Sequence, residues 1–440
     1  MAWRTSSFLV SSRKIAFPMI PSIFTGKAAR GLTVLYLSTL MAGLGWSMVF
    51  PIIPRLAGEF DVSVGVAVQI VTFFGLGRIV GTPAAGMVVD RIGSRLALIA
   101  GPVLVGLGAL GSIYTPWFLV VLAAAFLVGV GESLWAFGRE IAGIDLVNQD
   151  QRGRVLSGFH GIHGAGLAVG PLLGGVLADS MGLRVVFVAI AIESVAAVAL
   201  GTFVANSRRQ GRVQTTTRVH GVQPGGKKHQ SPMVWAQSLK ELVWQISPGL
   251  RVTYLTLVFA TFAGFLFRNG YQSLLPVFAD EELGLSSTEI GFLFSFAGII
   301  VLLLTLPAGF IIDKVGRKWA TVPSTALPGI AFLLIPFADS FTFMIPLVIM
   351  MGVANGLSLG SLATSTYDVV PDAVRGRLQA LRRTIADVGA IGAPALGGLL
   401  TNLYGPAVPF VVYAPILLLA GLALVLGAKE TLVKKPRTPL

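Results

Sequence analysis

The sequence predicts an all-α integral membrane protein, with twelve transmembrane helices arranged as two six-helix bundles related by pseudo-twofold symmetry. Three observations predict it. Hydrophobic residues make up 54% of the chain and charged residues 12%, about half the ~25% charged share of soluble domains. The apolar residues gather into twelve runs, each near the roughly 20 residues that a bilayer crossing requires. Polar and glycine landmarks recur at one fixed displacement of 223 positions.

The elements follow in order. Residues 1–31 carry Arg4, Arg13, Lys14, Lys27 and Arg30 with no acid, and their apolar patches are too short for a signal-peptide core. They read as a basic cytoplasmic lead-in near the membrane surface, although their Ser/Arg-rich make-up also resembles an organelle transit peptide. Hydrophobic runs between charged or Pro/Gly breaks place helices over 32–54, 66–89, 96–114, 117–142, 155–178 and 185–206, which form the N-terminal bundle, 32–206. The longest polar interval, 207–251, is a basic linker ending in an amphipathic stretch around Met233 to Gln245. Helices over 252–277, 288–312, 319–337, 341–364, 378–402 and 407–428 form the second bundle, 252–428, and 429–440 is a tail.

An even number of spans puts both termini on one side. The loops sharing that side hold 26 lysines and arginines, whereas the opposite loops hold Arg55 and Arg184. The positive-inside rule then predicts cytoplasmic termini in a multi-pass protein of the inner (plasma) membrane. A cationic rim against anionic lipid accounts for the net charge of +13 without nucleic acid. There are no cysteines, and the four histidines show no ligand spacing with acids, so no metal site is expected. No nucleotide loop, cofactor motif or nucleophile–base arrangement points to an enzyme.

The displacement of 223 links Asp90 to Asp313, Gly93 to Gly316, Asp145 to Asp368, Arg152 to Arg375 and Pro171 to Pro394. The chain is a tandem duplication. Between the second and third helices of each half stand GMVVDRIGSR, residues 86–95, and GFIIDKVGRK, residues 309–318. With these loops the chain resembles the major facilitator superfamily over about 32–428; the first copy departs from the family's loop pattern only at Ser94. The resemblance implies a cytoplasmic latch of Asp90, Arg91, Gly93 and Arg95 with Asp145, repeated by Asp313, Lys314, Gly316, Arg317 and Lys318 with Asp368. Charge-assisted hydrogen bonds of this kind can form in one bundle arrangement and break in another. A charged turn that only sets topology is the alternative.

The fifth helix carries GLAVGPLLGG, residues 166–175, echoed by GAIGAPALGG, residues 389–398. Gly166, Gly170 and Gly174 lie on one face, Pro171 bends the helix, and Gly175 follows; small residues let helix backbones touch in lipid. The run is similar to the fifth-helix pattern of twelve-span drug:proton antiporters, which implies export and a seal between halves. A tightly packed helix pair is the plainer reading.

Ionisable residues inside spans are default candidates for a substrate or ion path. Arg78 lies about 18 Å of helix before Asp90. The fourth helix supplies Glu132, Arg139 and Glu140. The family's architecture implies that helices one, four, seven and ten line a central cavity, adding Trp46, Arg268, Asn269, Tyr271, Gln272 and Asn355. Antiporters of this kind usually carry a fourth-helix arginine where this chain has Ala125. The protonation candidates are Glu132, Glu193, Asp387 and the pair His160 and His163, with Glu132 first; Asp387 also sits four residues after Arg383, where a helix salt bridge is the ordinary reading.

The resulting expectation is a monomeric secondary transporter that exports a small, partly hydrophobic compound against inward proton flow, with substrate, protons and lipid as its partners. A metabolite uniporter or symporter on the same fold is the second reading, favoured by Arg78 and Arg268.

Overall fold

The protein, seen in a computed structural model, is described over residues 26–148, 151–204, 241–358 and 360–431. The expected lead-in over 1–25, the linker over 205–240 and the tail from 432 lie outside the described residues. Helix is the only extended secondary structure among those residues, and twelve helices are long and apolar enough to cross a membrane. They are α1 (Ala29–Glu59), α2 (Val64–Arg91), α3 (Ser94–Tyr114), α4 (Phe118–Asp145), α5 (Arg152–Met181) and α6 (Leu183–Phe203) in the first half. The second half holds α7 (Pro248–Glu281), α8 (Ser287–Thr305), α9 (Arg317–Phe337), α10 (Phe341–Val369), α11 (Asp372–Tyr404) and α12 (Val408–Gly427).

The departures from the expected spans have local causes. In α1 the helix ends at Ser47, turns through the 3-10 segment Phe50–Ile52 and resumes at Ile53, because Pro51 and Pro54 each withdraw a backbone donor. α7 outruns its expected 252–277 at both ends. Pro248 suits a first helical turn, and the C-terminal extension ends on acids. α10 breaks before Ser361, where Gly360 takes a left-handed φ of 81°. Pro171 and Pro394 stay inside unbroken helices.

Two ends of the molecule can be told apart. One carries the Lys/Arg-rich loops and is called the basic face; the other is the far face. On the basic face, Gly93 (φ 117°) and Gly316 (φ 156°) make the turns from α2 to α3 and from α8 to α9, conformations that a side chain would strain. The Asp-x-x-Gly spacing of both loops therefore has a backbone reason.

Helices within each half pack through small residues, as expected where lipid supplies no hydrophobic drive between helices. A side chain at Gly77 or Gly129 would strike the backbone of Phe126 or Phe74, and one at Gly81 that of Val130, so α2 and α4 touch on both sides of Arg78. Buried tyrosines tie the second half together: Tyr254 donates to the Leu378 carbonyl and Tyr413 to that of Ala393, each at 2.8 Å. Outward residues such as Val195, Leu303 and Leu426 are exposed and apolar, the surface that acyl chains would cover.

Candidate functional site

The halves are joined at the far face by two seals built alike. A Cβ at Gly175 would collide with the Ser287 carbonyl, and one at Gly398 with the Gly65 carbonyl. Leu172 donates its amide to Ser295 Oγ at 3.3 Å, fixing α5 to α8. Gln69 Nε2 reaches the Pro394 carbonyl at 3.4 Å, fixing α2 to α11. Each seal then ends on a latch. Asp179 Oδ2 accepts from the Thr288 amide at 2.7 Å, and Asn402 Oδ1 accepts from the Gly65 amide at 2.9 Å.

The displacement of 223 pairs Asp179 with Asn402 and Thr288 with Gly65. Thr288 and Gly65 both occupy the second position of their helices, where backbone N–H groups lack intrahelical partners. Each half therefore caps the opposite half's second helix. The first latch carries a formal charge and is braced by Arg55, 2.5 Å from Asp179 Oδ1; the second is neutral.

The glycine pattern of α5 divides between two jobs. Gly166, Gly170 and Gly174 press against Leu40, Leu44 and Met48 of α1, inside their own half. The contacts that cross to the other half come from Ala168, the Pro171 carbonyl and Gly175, which meet Gly298, Gly291 and Ser287 of α8. α11 repeats this: Gly389 and Gly397 face α7, and Gly398 faces α2.

At the basic face the two expected latches differ. Asp90 makes no hydrogen bond or ion pair among the described residues, and Arg95 donates instead to the Thr202 carbonyl at 3.0 Å. In the second copy Arg317 pairs with Asp368 at 3.0 Å. Glu430 accepts from the backbone amides of Arg317 and Lys318 at 2.8 and 3.1 Å, and Thr431 donates to Asp368 at 3.0 Å. Lys318 Nζ donates to the Val425 carbonyl; Lys314 is exposed; the side chain of Asp313 lies outside what is described.

The membrane-embedded candidates fall into two pockets rather than a single cavity. The first is a narrow space within the N-terminal half, lined by Trp46, Trp135, Phe187, Glu132, Glu193 and small or aliphatic residues of α1, α2, α3, α4 and α6. Glu193, on a helix expected to be peripheral, turns inward against Gly45, and neither of its buried oxygens finds a hydrogen-bond donor among the described residues. Trp46 stacks on Phe74 at 3.8 Å. Trp135 donates to Ser38 Oγ at 2.8 Å and lies under the Arg139 guanidinium at 4.7 Å. Arg139 is buried and lies within electrostatic range of Glu132, Glu140, Glu193 and Arg78, but no ion pair joins it to any of them. Its partnership with Glu132 or Glu140 is therefore long-range.

The second pocket, roomier than the first, belongs to the C-terminal half and is lined by residues of α7, α9, α10 and α11, among them Arg268, Arg382 and Arg383. Arg268 donates to Asn355 Oδ1 at 2.7 Å and to Ser358 Oγ. Asp387 pairs with Arg383 at 3.2 Å, the helix salt bridge that their spacing suggests.

Other candidates separate from both pockets. Tyr271 is buried core, its ring 4.7 Å from Phe294. Asn269 is spent on the Phe265 carbonyl at 3.0 Å, and Gln272 is half-buried. His160 is exposed and bonded to the Leu156 carbonyl, while buried His163 Nδ1 has no partner among the described residues. Arg78 is accessible and lies within electrostatic range of Glu132, Arg383 and Asp387, bridging the two sets of charges. Sequence reasoning passed over Asp179, Asn402, Gln69, Arg382 and Glu430; the displacement of 223 would have flagged the first two.

A duplicated helical protein, sealed at one end between its halves and lined by charged pockets, has the architecture expected of a carrier. The sequence model of the Major Facilitator Superfamily matches residues 35–256 and again 257–439. The chain belongs to the major facilitator superfamily. Among relatives in that superfamily, it is 25% identical to "Multidrug resistance protein MdtG" of Citrobacter koseri, over 91% of this chain and 95% of that one. It is 23% identical to "Multidrug resistance protein 1" of Bacillus subtilis (90% and 96%) and 22% identical to the class C tetracycline resistance protein of Escherichia coli (93% and 96%). In fold it is similar to a D-xylose-proton symporter, with TM-score 0.70 and 17% identity over 91% of this chain and 98% of that one. It is also similar to a peptide transporter POT in complex with sulfate, with TM-score 0.70 and 13% identity over 91% and 95%. These last likenesses concern the fold alone.

Proposed function

We propose that this major facilitator protein is a secondary active exporter of a small, partly hydrophobic compound, driven by inward proton flow across the plasma membrane. Its basic face lies in the cytoplasm. The observation that carries the reading is the asymmetry of closure: paired seals hold the halves together at the far face, while at the basic face Asp90 makes no hydrogen bond or ion pair among the described residues. The conformation is then a cytoplasm-facing state ready to load cargo. Alternating access follows when the far seals break and the basic-face latch forms. The multidrug-resistance relatives support export.

In this reading Glu132 accepts the driving proton. It lines the N-terminal pocket with Glu193 and lies within electrostatic range of Arg139 and Arg78, so a change in its charge alters the interactions of the cations on α2 and α4. Glu193, with two undonated oxygens, is a second acceptor for a proton. The residue at the usual fourth-helix arginine position is Ala125, which lines the same pocket; Arg139, about two turns beyond Glu132, is the α4 cation available.

Proteoliposome efflux with an imposed pH gradient tests this. Wild-type efflux of a lipophilic test compound is expected to accelerate with an inward proton gradient, and Glu132→Gln to lose that acceleration. Efflux indifferent to the gradient, or full coupling in the variant, overturns the proton-driven reading.

A further inference from the structure

The C-terminal pocket holds more positive charge than its surroundings balance. Arg268, Arg382 and Arg383 converge on it from α7 and α11, and no acidic residue lines it. Asp387 is engaged by Arg383, and Arg78 of the other half lies within electrostatic range of both. Guanidiniums placed within a membrane span are costly unless something neutralises them. In the N-terminal half acids lie among the cations; here Asp387 answers Arg383 alone, and no ion pair reaches Arg268 or Arg382 among the described residues.

The surroundings of these cations are also prepared for an anion. Arg268 is held by Asn355 and Ser358, and Arg382 by Gln379 at 2.9 Å and Thr261 at 3.5 Å. Those bonds fix the planes of the two guanidiniums before any ligand arrives. Ser324, Ser358 and Thr261 also line the wall, but their hydroxyl protons go to backbone carbonyls of their own helices, which leaves the guanidiniums as the donors for an anion. Phe265 underlies both Arg268, at 5.8 Å, and Arg383, at 5.1 Å, leaving an apolar surface beside the charges. Planar forks beside an aromatic ring suit a carboxylate, phosphate or sulfonate attached to an apolar body.

We propose that this pocket is an oxyanion subsite, in which Arg268 and Arg382 grip the anionic group of an amphipathic cargo whose apolar part lies along Phe265. The assignment of the bound molecule as cargo rests on the export reading; the subsite itself does not.

The test is equilibrium binding to the full-length protein in phosphatidylcholine nanodiscs, with no pH gradient, so that it is independent of coupling. Two fluorescent probes serve: 8-anilinonaphthalene-1-sulfonate and uncharged N-phenyl-1-naphthylamine, which keep a common aromatic body and differ in the sulfonate. Arg268→Gln and Arg382→Gln are expected to weaken the sulfonate about tenfold or more and to leave the neutral probe within about twofold. Arg268→Lys, which keeps the charge but not the fork, should fall between, and unchanged gel-filtration profiles exclude misfolding. Equal losses for both probes, or none for the sulfonate, overturn the subsite. Adding phosphatidylglycerol separates the sources of the anion. If it displaces the sulfonate from wild type but not from Arg268→Lys and Arg268→Gln in proportion to their affinities, a lipid headgroup is the occupant and the cargo assignment falls. Undiminished sulfonate binding supports cargo.

Discussion

The N-terminal pocket presents Glu132 and Glu193 among tryptophans and aliphatic walls, whereas the C-terminal pocket presents three arginines among hydroxyls. The displacement of 223 places Asn355 where the first half has Glu132, Arg268 where it has Gly45, and Ser358 where it has Trp135. Both pockets draw on the first, third and fourth helices of their halves. The same displacement relates the far-face seals, yet there the backbone contact is kept: the second glycine of each pair, Gly175 and Gly398, meets the same helix start in the opposite half. A seal works by backbone proximity, which tolerates little variation, while a pocket works by side-chain charge, which one substitution in each copy can reverse.

Exchanging what differs should produce the largest effect. Glu132→Gln is expected to reduce gradient-driven efflux by about tenfold or more, equivalent to ~1.4 kcal/mol, while Asn355→Asp should leave the gradient response in place and weaken anion binding by neutralising Arg268. Efflux assays on the two variants check this; equal loss of coupling in both would erase the distinction between pockets.

Overfilling what is shared should act on both halves alike. Gly175→Val and Gly398→Val each push a side chain into an opposing backbone, and each is expected to cost the far-closed state about 1–3 kcal/mol. Accessibility of cysteines introduced behind the seal would report it; the chain has no native cysteine to interfere. A large effect at only one site would mean that the two seals are unequal.

The latches should separate by charge. Asp179→Ala removes both the Arg55 ion pair and the cap on the Thr288 amide, whereas Asn402→Ala leaves one amide uncapped. Losses of about 1–2 kcal/mol and about 0.5–1 kcal/mol are expected, read as shifts in the same accessibility. The reverse order would contradict the capping account. Gly58→Ala and Gly111→Ala, which meet nothing within 4 Å, should change thermal stability by under about 1 kcal/mol, in the stabilising direction.

Much of the fold was legible because its causes are local. Apolar length gives the spans, and the repeated Asp-x-x-Gly loops give the duplication and the turns at Gly93 and Gly316. The break in α1 was legible in principle from Pro51 and Pro54, but an apolar run carries no mark of where a helix turns. The site was less legible because orientation around a helix is set by packing. Glu193 could face lipid or protein on the sequence alone, and it is Gly45, on another helix, that admits its carboxylate. The family's architecture assigns Tyr271 to the cavity, and packing makes it core. Asp179 and Asn402 sit at helix ends as ordinary polar residues, and only their shared displacement distinguishes them.

The central claim, that the halves open at one face as they close at the other under the control of Glu132, is tested most directly by spin-label distances. Labels at Ser63 and Glu282 span the halves at the far face, and labels at Asn148 and Ala373 span them at the basic face; all four residues are exposed. Across a pH titration in nanodiscs, one distance should lengthen as the other shortens, and Glu132→Gln should abolish the response. Two distances that stay fixed at every pH, or lengthen together, would contradict it.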